Sequence, residues 1–131
     1  IIPNTDTTLT IPSTSERVIT VGAYDSANIS TVGFSGRGYT RATKYIKPDL
    51  VAPGVNILTT TVGESITSFT GTSAAAPFVA GSAALLMEWG IVDRNDIFLY
   101  GERLKAFLCN GAIRDNSREY PNREWGYVGY A

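Results

Sequence analysis

The chain has 131 residues, 44% hydrophobic and 18% charged, with 11 basic and 12 acidic side chains and a net charge of −1. This length and balance predict one cored domain, or part of one, and exclude a disordered chain. No run of five basic residues occurs, so nucleic acid is not an expected partner.

Ile1-Ile2-Pro3 lacks a basic region and a small-residue cleavage site, which predicts no signal peptide in this stretch. Residues 1–12 are Thr-rich, carry two prolines and read as a loop or edge segment. Residues 17–24 are β-branched and apolar, as a buried strand should be. Residues 25–28 form a turn, 31–34 a short strand and 35–38 a second turn. A polar loop follows up to Lys47, in which Arg37, Arg41, Lys44 and Lys47 are spaced like a solvated surface. Residues 48–52 and 55–62 predict strands, separated by Pro53-Gly54. Gly63-Glu64 predicts a hairpin turn returning through a strand at 65–70. Residues 73–89 predict a helix, apolar on nearly every side and stopped by Gly90. Its apolar run is broken by Gly81, Ser82 and Glu88, short of the roughly 18 residues of a membrane span, so no membrane is expected as a partner. A second helix is predicted to begin at Asn95 or Asp96, to run from about 99 to 108 and to stop at Asn110-Gly111. Cys109, the only cysteine, allows no internal disulfide and reads as a buried thiol. The last twenty residues are polar and turn-rich. Their aromatics Tyr120, Trp125, Tyr127 and Tyr130 read as a packed closing segment rather than a base- or sugar-stacking site.

Chemistry concentrates in the segment from Gly71 to Gly81, which reads Gly-Thr-Ser-Ala-Ala-Ala-Pro-Phe-Val-Ala-Gly. Here Ser73 stands at the mouth of a helix of small and apolar residues. A serine hydroxyl is a poor nucleophile until a base and oxyanion donors are placed around it. A helix N-terminus supplies unpaired N–H groups and a favourable dipole. Thr72-Ser73 is the expected cap, with the Ser73 N–H aimed at a developing oxyanion. Pro77 comes early in the helix, where a missing N–H costs least. The alternative is a capped, Ala-rich core helix with no chemistry. The chain contains no histidine, so a Ser-His-Asp triad cannot be completed within it.

The Gly71–Gly81 pattern closely resembles the nucleophile segment of the subtilisin-like serine proteases. Val18-Ile19-Thr20-Val21-Gly22-Ala23, Phe34-Ser35-Gly36-Arg37-Gly38 and Lys47-Pro48-Asp49-Leu50-Val51-Ala52-Pro53-Gly54 resemble further family segments in the same order. Together they look like the C-terminal half of a subtilase catalytic domain, and residues 1–131 are read as that portion. Met87-Glu88-Trp89-Gly90-Ile91-Val92, residues 99–102 and the stretch from Tyr120 to Tyr127 look like a clostridial branch that includes spore-germination proteases.

The resemblance implies an α/β fold with a mostly parallel sheet and helices on both faces. It implies a serine endopeptidase acting on peptide or protein substrates, with Ser73 as nucleophile. The family's Asp, His and oxyanion Asn precede the Ser and would come from an N-terminal half of the same domain. Asn4 lacks the glycine-rich surroundings of that Asn. A non-catalytic subtilase-like protein that binds or regulates a partner protease is the alternative, decided by the residues at the upstream Asp and His positions. Thr10 aligns with a small residue of the family's primary specificity pocket, or is a loop threonine without a role. Thr72 is expected beside the substrate, and Phe34 either borders the leaving-group side or is a core aromatic. Asp6, Asp25 and Asp49 are isolated and lack calcium-loop spacing. No cofactor or metal ligand set is evident, although the resemblance leaves structural calcium open for the full-length protein. It further implies a secreted or spore-associated protein, with any signal upstream. A severed sheet exposes an apolar edge, so self-association of the chain is expected.

Overall fold

The computed structural model describes residues 5–126 and residue 129. The central sheet has the order β2-β1-β5, with β1 (Val21–Asp25), β2 (Ser30–Thr31) and β5 (Leu50–Pro53). β1 and β5 run parallel, pairing Val21 with Leu50 through Tyr24 with Pro53, and β2 returns antiparallel beside β1. β3 (Gly38–Tyr39) pairs with β4 (Ile46–Lys47), and β6 (Ile57–Thr61) with β7 (Ser65–Phe69), both antiparallel. α1 (Thr72–Met87) continues through a π turn at Glu88–Val92, and α2 (Gly101–Gly111) follows. The fold is therefore α/β, with its parallel ladder confined to one strand pair among the described residues.

Successive side chains of β1 and β5 point to opposite faces. Ala23, Leu50 and Ala52 face α1, where they pack with Ala75, Val79, Leu99, Leu104 and Leu108. Tyr24 and Val51 face the other way, onto Trp125. Trp125 is 3% exposed, its ring 5.8 Å from that of Tyr24 and stacked beneath the Arg118 guanidinium at 4.1 Å. The closing segment is thus packed, as expected of it; Tyr127 and Tyr130 lie outside the described residues.

The expected strand at 17–24 begins only at Val21, because the backbone before it is committed to charge. Lys47 Nζ donates to Val18 O at 2.9 Å and Lys105 Nζ to the same oxygen at 3.1 Å. Thr20 N–H donates to Asp49 Oδ2 at 2.7 Å, and Asp49 N–H returns a bond to Thr20 O. Lys47 and Lys105 both pair with Asp49, at 2.7 and 2.8 Å. Two expectations are corrected here. Lys47 is no part of a solvated surface but is 2% exposed, and Asp49 is not isolated but held by two ammonium groups. A buried charge survives only with such partners. Burial holds Lys47 below the usual lysine range, against the opposing pull of Asp49.

The hairpin of β6 and β7 forms as expected, with Gly63 and Glu64 at positive φ. The first helix begins one residue early, at Thr72, and Gly90 does not stop it: the chain winds on through the π turn, where Asp93 N–H reaches Glu88 O at 3.0 Å. The second helix starts at Gly101, later than expected. Asn95 Nδ2 instead bonds Trp89 O, and Asp96 accepts from Phe98 N–H and Arg103, building a turn.

Residues Thr72–Val92 form 21 helical residues containing a stretch of mean hydropathy 1.5, long and apolar enough to cross a membrane by length and composition. This corrects the expectation that no run approaches span length, since Gly81, Ser82 and Glu88 interrupt the run without lowering its average enough. The helix lies on β1 and β5 through Ala75 and Val79, a core helix's position. Its opposite side, with Phe78 and Leu85, is exposed.

Candidate active site

Pro53-Gly54 places the turn that leads into α1. Gly54 N–H donates to Tyr24 O at 3.0 Å, and Gly71 N–H donates to Gly54 O at 2.8 Å. A Cβ at Gly54 would stand 2.6 Å from the Ala23 Cβ and 3.0 Å from Gly71 O, so only glycine lets these three backbones meet. The end of the parallel ladder is in this way hydrogen-bonded to the residue before Thr72-Ser73. Sequence reasoning treated Pro53-Gly54 as punctuation and missed this role; a Pro-Gly directly after a buried strand was the available signal.

Ser73 is exposed in the first turn of α1. Among the described residues neither its hydroxyl nor its N–H has a hydrogen-bond partner. The expected cap is corrected. Gly71 is the N-cap, no side chain bonds the helix end, and Ala74 N–H closes onto Gly71 O at 3.0 Å. The Thr72 and Ser73 hydroxyls are therefore not spent on capping. Pro77 is the sixth helical residue rather than a first-turn one. It has no N–H to offer the Ser73 carbonyl four residues back, so that helical hydrogen bond is not made.

Two clefts lie beside Thr72-Ser73, one lined by each residue. The first, about 480 Å³, has Thr10 and Thr72 in its lining, together with Thr8, Phe34, Ser35 and Arg37. The second, about 320 Å³, is apolar and runs from Ser73 between Leu58, Phe69, Pro77 and Phe78. The structure thus brings Thr10 and Thr72 into one cleft and leaves Ser73 opening on its neighbour. Phe34 is 48% exposed in the first cleft's lining, so the core-aromatic reading is not what the structure shows. Ser35 is buried, its Oγ accepting from Ala23 N–H at 3.0 Å. Ser13 Oγ donates to Thr10 O and fixes that loop. Among the described residues lining the first cleft Arg37 alone is charged, and Glu124 offsets it at 2.5 Å. Of the expected solvated basic loop, only Arg41 and Lys44 are exposed.

The three carboxylates weighed for calcium are engaged elsewhere. Asp49 meets two lysines, Asp6 meets Arg123, and Asp25 accepts from Ala27 N–H. Among the described residues no group of three His, Cys, Asp or Glu gathers. Cys109 is half-buried against the core, and burial, followed by the Asp49 charge, pushes its thiol up. A raised pKa suits a packing residue and not a nucleophile.

The exposed Ser73 thus stands at the entry of a small-residue helix whose N-cap glycine is hydrogen-bonded to the turn after a parallel strand. Residues 2–128 match the subtilase family, Peptidase_S8, and the chain belongs to that family. It is 39% identical over 124 residues to the serine protease AprX of Bacillus subtilis, covering 79% of this chain and 26% of AprX. The structure of the CspB protease of Clostridium perfringens superposes with a TM-score of 0.93 at 50% identity, covering 99% of this chain and 27% of that one. The prenylagaramide maturation protease PagA superposes at 0.73 with 28% identity, covering 95% of this chain and 43% of that one. The chain spans about a quarter of the length of AprX and of the CspB protease.

Proposed function

We propose that the protein carrying this chain is a subtilisin-like serine endopeptidase and that Ser73 is its nucleophile. The observation that supports this best is the exposed Ser73, whose hydroxyl and N–H have no partner among the described residues, in the lining of an apolar cleft. In this reading Ser73 Oγ attacks the scissile carbonyl and its own N–H is one oxyanion donor. A second donor, the oxyanion Asn, comes from the rest of the protein. So do the His that takes the hydroxyl proton and the Asp that orients it, since this chain has no histidine. Thr10 and Thr72 line the cleft that receives a substrate side chain. The likeness to the CspB protease favours a place in the clostridial branch that includes spore-germination proteases.

Ser73→Ala in the full-length protein is expected to cut kcat about 10⁶-fold, the loss seen for the nucleophile of a subtilisin, with folding unchanged. The chain alone, lacking a base, is expected to cleave neither casein nor small chromogenic peptides. Unchanged full-length activity in Ser73→Ala would remove Ser73 from the mechanism. A full-length protein that is inactive and carries replaced Asp or His positions would be a non-catalytic partner of another protease.

A further inference from the structure

Two of the segments that line the first cleft, here its walls, are far apart in sequence. One includes Thr5, Thr8 and Thr10, the other Phe34 and Arg37. The walls touch directly where Thr8 N–H donates to Arg37 O at 3.0 Å and Arg37 N–H to Thr8 Oγ1 at 2.9 Å, and where Leu9 lies against Gly36 and Gly38. A five-residue turn, Asn122 to Gly126, holds both of them as well.

That turn is closed upon itself. Asn122 and Gly126 exchange backbone hydrogen bonds at 2.9 Å each, and Asn122 Oδ1 accepts from the N–H groups of Glu124 and Trp125 at 3.0 and 2.8 Å. It is also anchored. Trp125 is buried on Tyr24 and Val51. Gly126, at φ 77°, lies so close to β5 that a Cβ would stand 2.3 Å from Pro48 O. Between these fixed points the turn presents two charged side chains of opposite sign. Arg123 pairs with Asp6 at 2.5 Å on the first wall, and Glu124 pairs with Arg37 at 2.5 Å on the second. Gly38 N–H adds a bond to Arg123 O at 3.2 Å.

We propose that the Asn122–Gly126 turn holds these two walls in register and so tunes the width of this cleft, with Arg123 and Glu124 as positioning residues that determine which substrate side chain it accepts. Neither residue lines the cleft, so each acts through Asp6 or Arg37. The opposite charges give each arm one correct partner, which fixes the register of both walls against a rigid, Trp-anchored base. The specificity part rests on the reading of this cleft as a substrate pocket.

Two measurements on the full-length protein test it. The first is hydrogen exchange in Arg123→Ala and Glu124→Ala. Faster exchange at residues 5–10 in the first variant and 33–38 in the second, with the rest of the chain unchanged, is the expected result. Unchanged exchange at both walls would overturn the clamp, as would a global increase in which no wall stands out. This readout needs no catalysis. The second measurement uses peptides differing only in the side chain that enters the cleft. In Glu124→Ala, KM should rise roughly 5- to 30-fold for large side chains, with kcat nearly constant, and not at all for glycine. Glu124→Asp should restore part of the discrimination. An equal loss on every peptide would show a merely structural role and overturn the specificity claim. If the unmutated protein shows no Ser73-dependent cleavage, the endopeptidase reading and the specificity claim fall together, while the exchange result still decides the clamp.

Discussion

Lys105 Nζ on α2 lies 2.8 Å from Asp49 Oδ1 at the entry to β5, and its ammonium also reaches the carbonyls of Glu16 and Val18. One carboxylate thus ties a helix, the parallel ladder and the segment before β1 into a single unit. Lys47 completes the cluster from the opposite oxygen, with both Lys47 and Asp49 almost wholly buried.

Removing that carboxylate strands two ammonium groups. Asp49→Asn is expected to destabilise the full-length protein by about 3–5 kcal/mol, the cost of breaking a buried ion pair from one side. Urea denaturation measures it. Pairing the change with Lys105→Met should recover part of the loss, and strict additivity of the two would show that they do not interact.

Gly54→Ala tests how the strand end positions the nucleophile turn. The added Cβ meets Ala23 Cβ and the Gly71 carbonyl, and the backbone must shift. A cost of about 1–3 kcal/mol is expected from overpacking, together with a fall in kcat that exceeds any rise in KM. Full activity in Gly54→Ala would separate β5 from the site.

Cys109 gives a pH dependence with a definite sign. Burial raises its folded pKa above the ordinary 9.0, so between 9.0 and the folded value the unfolded chain releases a proton that the native one keeps. Stability falls through that window as pH rises. Cys109→Ala should flatten the alkaline limb of a stability profile, and the native thiol should react with iodoacetamide much more slowly than the denatured one. Equal rates in the two states would contradict its burial.

The isolated chain should self-associate. Leu58 is 76% exposed, Ile66 73% and Leu85 68%, on the hairpin and on the uncovered side of α1. In the full-length protein we expect these faces to be covered by the remainder of the catalytic domain. Sedimentation equilibrium at micromolar concentration should show oligomers that Leu85→Lys weakens. A monomer with a cooperative melting transition would mark the chain as self-sufficient.

The sequence by itself determined the local features. The β6–β7 hairpin followed from Gly63-Glu64 between β-branched runs, the buried β5 from Leu50-Val51-Ala52, and the long helix from its small and apolar residues. The Gly71–Gly81 segment also carried the family. Such signals are set by residues that are neighbours along the chain, where period and turn chemistry act. Only the tertiary structure decided where charges and cleft walls meet. Lys105 lies 56 positions beyond Asp49, Glu124 pairs with Arg37 across 87 residues and Arg123 with Asp6 across 117. For the same reason Lys47 read as a solvated cation and Thr72 as a cap. A side chain's burial and hydrogen-bond partners depend on which distant segment closes over it, and no local period encodes that.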